Sequence, residues 1–258
     1  MKLFRTFLTA LVLGITSVLS RAEAVAPSSP PPLQTLIQRV MQTSAMENTE
    51  YHIFNQHYLY RRDRVTEFFD TAGNLKQLNE KMSTNNPVQS ALRPRPVAQP
   101  ASYGKQSSDS QPSIHGVSLG KKEDLLNPDF IKRYTITVAG EEMINGRPAW
   151  VLDFKPASDK LPILNIKDRL LNCVAGRGWV DEGDYILEKA ELHLTQKVSA
   201  LGGIAGTVSK FTLSFDRVKT AEGYWFTRDL DWHLEAREAT LHWVVSHHDG
   251  VIDVQKIR

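Results

Sequence analysis

Cysteine is nearly missing from this chain of 258 residues. The single Cys173 cannot form an internal disulfide, and it lies too far from the N-terminus to carry lipid at a processed first residue. Its setting, ILNIKDRLLNCV, is an apolar helical pattern, which suits a buried inert thiol better than a nucleophile. No serine stands in a Gly-x-Ser-x-Gly elbow. Gly202-Gly203-Ile204-Ala205-Gly206 lacks the lysine and the following helix of a phosphate loop, and is expected to be a mobile rim or a membrane-touching loop instead. Net charge is scarce as well. Lys2, Arg5 and Arg21 against Glu23 account for the whole formal charge of +2, so a chain processed beyond them has no field to attract nucleic acid. The apolar run over residues 7–19 is short and broken by Thr9, Gly14, Thr16 and Ser17, which weakens an uncleaved anchor.

What is present at the N-terminus is a basic start, that apolar run and the small-x-small sequence Ala22-Glu23-Ala24. A signal peptide over residues 1–24 is expected, with a mature start near Val25, export to the periplasm and no stable transmembrane segment after cleavage. A proline-rich spacer follows over residues 25–32. With 41% hydrophobic residues, 33–258 is expected to form a single domain. Leu33, Ile37, Val40 and Met41 recur at helical intervals and predict an amphipathic helix over 33–46. Residues 51–62, 65–70 and 75–82 read as strands of a meander, reversing at Thr71-Ala72-Gly73-Asn74. Over 83–118 the composition shifts to Pro, Ser, Gln, Asn and Ala, which predicts a disordered insertion. Residues 121–134 offer a short helix or turn pair broken at Pro128.

Residues 134–154 carry the strongest local signal. Tyr134, Ile136 and Val138 share one face, Trp150, Leu152 and Phe154 share another, and Asn145-Gly146 between them accepts the positive φ values of a tight hairpin turn. Ile163, Ile166, Leu170, Leu171 and Val174 then predict a second helix over 163–174, stopped at Gly176. Strands are expected over 177–181, 185–198 and 207–217, where Leu192, Leu194, Phe211, Leu213 and Phe215 form apolar faces. A last hairpin over 224–234 and 239–247 would set Leu230, Trp232 and Leu234 against Leu241, Trp243 and Val245. Antiparallel strands joined by short turns give an α+β class, a strongly curved antiparallel sheet with two helices against it.

Chemistry-bearing groups are weaker signals. His233 and His242 could meet across the last hairpin near His247-His248, but no cysteine or closely spaced carboxylate joins them, so no metal and no cofactor are expected. Asp181, Glu182 and Asp184 cluster in a turn, where solvated charge is the ordinary role.

The succession YTITVAGEEMINGRPAWVLDFKP, then a helix, AGRGWVDEGDYILEKAELHL and KFTLSFDRVKTAEGYWFTRDLDWHLEA resembles the superfamily of outer-membrane lipoprotein-sorting proteins and periplasmic lipoprotein carriers. The Asn145-Gly146-Arg147 turn, the stretch GWVDEGDY and Gly223-Tyr224-Trp225-Phe226 carry it. The resemblance implies an incomplete β-barrel whose concave side is closed by helices over a cavity for acyl chains. Ile136, Val138, Leu192, Leu194, Phe211, Leu213, Phe215, Trp232, Leu234, Leu241 and Trp243 would line that cavity, the alternative being that the stripes from Phe211 to Trp243 form an ordinary filled core. Ile37, Val40, Met41, Ile166, Leu170 and Leu171 would belong to the lid. The expected function is non-enzymatic sheltering of lipid acyl chains or a lipoprotein. The rival expectation is a signalling or assembly module of the same fold that binds an envelope protein.

Overall fold

The computed structural model describes residues 29–88, 113–114, 117–118, 131–158, 161–163, 166–200, 206–238 and 241–257. Helix α1 (Leu33–His57) leads into strands β1 (Tyr58–Phe69) and β2 (Leu75–Asn85). A short hairpin, β3 (Ser113–Ile114) and β4 (Val117–Ser118), stands apart from the main sheet. Next come β5 (Tyr134–Ile144), β6 (Arg147–Pro156), the short helix α2 (Ile166–Leu171), β7 (Val174–Asp181), β8 (Leu187–Leu194) and β9 (Val198–Ala200). The chain ends with β10 (Gly206–Lys219), β11 (Trp225–Glu238) and β12 (Leu241–Lys256). The sheet has 10 strands in the order β2-β1-β12-β11-β10-β8-β7-β6-β5, with β9 added to the end of β10. Every ladder is antiparallel, and β2 and β5 remain as separate ends, so among the described residues the sheet is open.

Turn chemistry sets the register. Asn145 has φ 48° and Gly146 φ 81°, the pair of positive values that a two-residue turn needs to match the strand twist. The turn pairs Ile144 with Arg147, and a bulge between Val138 and Gly140 then brings Val138 to Leu152 and Ile136 to Phe154. Because side chains alternate in a strand, each cross-strand row then has a fixed side. Leu192, Leu213, Trp232, His247 and Thr66 form one row across β8, β10, β11, β12 and β1. The positions between them, among them Thr212, Ser214, Asp231, His233, Ser246 and His248, point to the other side. The sheet therefore has an apolar face and a polar one.

Three clusters pack on the apolar side or at its end. Leu36 and Val40 of α1 press on Trp150, Leu152 and Val180. At the far end of the same helix, Phe54 stacks on Tyr58, Tyr60 and Phe226 with ring centroids 4.8, 5.4 and 4.6 Å apart. Leu170, Cys173, Val198 and Val208 gather with Phe211, Trp232, Leu234 and Val245. Full burial of one such side chain contributes about 1.5–3 kcal/mol.

Several sequence expectations are corrected. Residues 51–57 continue α1 instead of starting a strand, because Phe54 must remain on the helix to reach Phe226. The second helix spans only Ile166–Leu171, and Val174 already belongs to β7. Gly176 is no helix stop: a Cβ there would meet the Glu191 carbonyl oxygen of β8 at 2.2 Å and Phe154 Cζ at 2.9 Å, so it permits close strand approach. The strand expected over 185–198 is divided between β8 and β9. Part of the expected disordered insertion is ordered, since residues 83–85 extend β2 and 113–114 pairs with 117–118. The signal peptide, residues 119–130, the loop 201–205 and the rest of the insertion beyond 88 lie outside the described residues. In the last hairpin Trp232 opposes His247 and Leu234 opposes Val245, while His242 opposes Arg237, so His233 and His242 do not meet.

Gly176→Ala is expected to destabilise the fold by about 2 kcal/mol or more, as a clash with backbone that cannot rotate away. Gly178→Ala, whose nearest neighbour is the movable Leu187 Cδ1 at 2.9 Å, should cost clearly less. Equal costs in urea unfolding would contradict the close-approach account.

Candidate functional site

The apolar face is covered at its flanks more completely than at its centre. Near α1, Ile136 and Val138 pack partly buried against the Leu36 and Val40 cluster. Near α2, Phe211, Trp232 and Leu234 are buried, with Leu194 and Leu213 partly buried beside them. Between these regions Leu192, Phe215 and Leu230, with Leu213 at the border of the α2 cluster, lie on two adjacent cross-strand rows and are all only partly buried. On the helices Val40 and Leu170 are buried, Ile37, Met41 and Leu171 are partly buried, and the Ile166 side chain lies outside the described ones. Two expected lining residues do not belong here. Leu241 and Trp243 are 59% and 48% exposed at the tip of the β11–β12 hairpin, because pairing runs out to Glu238 and carries them past the covered region.

The same rows change character as they cross to β12 and β1. Arg62 donates through Nε and Nη2 to Asp249 at 2.6 and 2.5 Å, and Arg64 Nε lies 3.4 Å from the same carboxylate. His247 holds Thr66 Oγ1 at 2.8 Å through Nδ1, and its ring stacks on Trp232 with centroids 5.3 Å apart. Burial pushes the His247 imidazole below its ordinary pKa, which favours the neutral ring. The sequence reading missed Arg62, Arg64, Thr66 and Asp249. The alternation Tyr58, Tyr60, Arg62, Arg64, Thr66, Phe68 along β1 was the available signal.

On the opposite face an open groove of about 270 Å³ is lined by Val65, Glu67, Thr212, Ser214, Asp231, His233, Ser246 and His248, and Trp232 and His247 of the neighbouring row also border it. His233 lies between Ser246 Oγ at 2.9 Å and Glu235 Oε1 at 3.1 Å, and His248 Nδ1 is 2.8 Å from Asp231 Oδ1. A hydroxyl, an imidazole and a carboxylate thus lie in line. Acyl transfer also needs converging donors for an oxyanion, and Ser246 sits mid-strand in β12, paired with both β1 and β11, so the backbone around it is engaged in ladders. Among the described residues no three His, Cys, Asp or Glu side chains gather as metal ligands. No described helix is long and apolar enough to cross a membrane.

The acidic turn is a fastening point. Arg147 Nε donates to Asp181 at 2.6 Å, and its Nη2 reaches Asp184 at 3.2 Å. Lys219 and Trp225 donate to Asp184 at 2.6 and 2.9 Å, which ties the turn before β8 to the β5–β6 and β10–β11 hairpins. Burial works to raise the Asp184 pKa, but the bonds from Lys219 and Trp225 outweigh it and hold the carboxyl below its usual range. Nearby, burial pushes Glu188 up to about 7, against the donation from Asn145 Nδ2 at 3.2 Å.

No family model and no curated protein matches the chain. Among solved structures it is similar to an outer-membrane lipoprotein-sorting protein domain from Vibrio parahaemolyticus, at 12% identity over 85% of this chain and 93% of that one, with a TM-score of 0.32. A LolA superfamily protein from Nitrosomonas europaea matches at 13% identity over 89% and 94% of the two chains, TM-score 0.32. A chain of the Pseudomonas aeruginosa MucA/MucB complex matches at 9% identity over 87% and 98%, TM-score 0.25.

Glu188 gives a pH signature. Its carboxyl titrates near 4.5 when unperturbed and near 7 in the fold, so the folded chain keeps a proton that the unfolded chain releases. Its contribution to stability is complete below pH 4.5 and is lost as pH rises through about 7. Glu188→Gln should therefore raise Tm relative to the parent increasingly across that window. A constant difference in thermal unfolding would contradict the assignment.

Proposed function

We propose that the chain is a non-enzymatic lipid-binding protein of the bacterial periplasm, which shelters acyl chains, free or on a lipoprotein, against the centre of its apolar face beneath α1 and α2. The observation that carries this reading is the partly buried middle of that face, Leu192, Leu213, Phe215 and Leu230, between the buried clusters under α1 and α2. An acyl chain laid there gains roughly 0.8 kcal/mol for each buried methylene and requires no directed chemistry. Export follows from the signal-like N-terminus.

Native mass spectrometry of protein purified from an envelope extract should show bound lipid, and the delipidated protein should take up a fluorescent fatty acid. Leu213→Glu should weaken that uptake roughly tenfold or more, because a carboxylate would be desolvated against the chain. Leu241→Glu, at the exposed hairpin tip, should leave it unchanged. A lipid-free mass together with no uptake would sink the reading.

A second reading rests on β2. This strand ends the described sheet, and every position from Leu75 to Thr84 is exposed, including Leu75, Leu78 and Met82. An edge of this kind accepts an added strand from an envelope protein partner. Crosslinking from β2 that recovers one envelope protein without lipid would favour it.

A further inference from the structure

An amphiphile needs a place for its head as well as its tail, and two buried nitrogens stand without a partner at one end of the apolar face. Trp232 Nε1 and His247 Nε2 make no hydrogen bond, although their residues are 9% and 3% exposed. A buried donor or acceptor left unmatched costs about 1–3 kcal/mol, so such groups point to something that satisfies them. Arg64 Nε is also buried without a hydrogen bond.

These atoms are not scattered. Trp232 and His247 oppose each other on the row that begins with Leu192 and Leu213 and ends at Thr66. The adjacent row starts with Ala190, Phe215 and Leu230 and ends with Asp249 and Arg64. Both rows are apolar over β8 and β10 and polar over β12 and β1. Strands lie about 4.8 Å apart, so the change takes place over roughly 15–20 Å, the scale of a lipid from chain to head. The charge at the polar end is also one-sided: Arg62 and Arg64 both face the single carboxylate of Asp249.

We propose that this end is a headgroup site, where an anionic oxygen of a bound amphiphile accepts from Trp232 Nε1, His247 Nε2 and Arg64 Nε while its chain lies across Leu213, Phe215 and Leu192. The proposal rests on the acyl-chain reading of the same face. The chemistry it selects is a carboxylate or phosphate on a hydrocarbon chain. In the tautomer in which Thr66 Oγ1 donates to Nδ1, the single ring proton of neutral His247 sits on Nε2 and is free to be donated to the anion.

The test is displacement of a fluorescent fatty acid from the delipidated full chain by oleate, by oleyl phosphate and by methyl oleate, for the parent and for Trp232→Phe. The phenyl ring keeps an aromatic face toward His247 and removes the indole donor. The parent should bind oleate or oleyl phosphate at least tenfold more tightly than methyl oleate, and the stronger of the two identifies the head. Trp232→Phe should lose roughly tenfold for that anionic probe and little for methyl oleate. Equal affinity for all three probes, or an equal loss for all three in the variant, overturns the headgroup site and leaves the acyl-chain reading standing. Failure of every probe to bind overturns both. Circular dichroism of Trp232→Phe matching the parent keeps a folding defect from counting as support.

Discussion

Among the described residues the sheet has more apolar surface than its two helices cover, and much of the structure follows from that mismatch. A 25-residue helix is about 37 Å long, whereas the nine-strand path of the sheet spans roughly 38 Å and each strand has its own length as well. One such rod cannot shield a surface of that size. It is fixed at two places, where Leu36 and Val40 meet β6 and β7 and where Phe54 meets the Tyr58, Tyr60 and Phe226 rings. The short α2 and the small strand β9 close another patch. Between these contacts the apolar rows are left incompletely buried, and that unfinished cover is the physical basis for holding a hydrocarbon ligand.

The polar elements divide into those that complete the fold and those that leave valence open. The Arg147, Asp181, Asp184, Lys219 and Trp225 network satisfies its members while joining three turns, so its carboxylates are spent on structure. The groove on the other face places His233 and His248 against acidic partners, but it is open and its backbone is occupied by ladders. His247 and Trp232 are different. They are buried, Nδ1 of His247 is used by Thr66, and its Nε2 makes no hydrogen bond.

Much of the strand pattern was legible because period-two alternation and turn residues act locally. Asn145-Gly146 fixed a hairpin, and the alternation from Thr207 to Arg217 falls inside β10. Helix limits were less legible. Tyr51 and Phe54 favour strands by type, yet a tertiary contact with Phe226 keeps residues 51–57 helical, and the i, i+4 spacing that joined Ile166 to Val174 merged a six-residue helix with the start of a strand. The extended pairing of β11 with β12 could not be read from composition. It moved Trp243 to an exposed tip and brought His247 opposite Trp232, so the polar end of the face emerged only from register.

The most direct test of the central claim is methyl NMR of the leucine-labelled protein with a stearate carrying a nitroxide near its terminal carbon. The account predicts paramagnetic broadening concentrated on Leu192, Leu213 and Leu230, in the middle of the apolar face. Broadening confined to Leu75 and Leu78 on the sheet edge, or none at all, would contradict it.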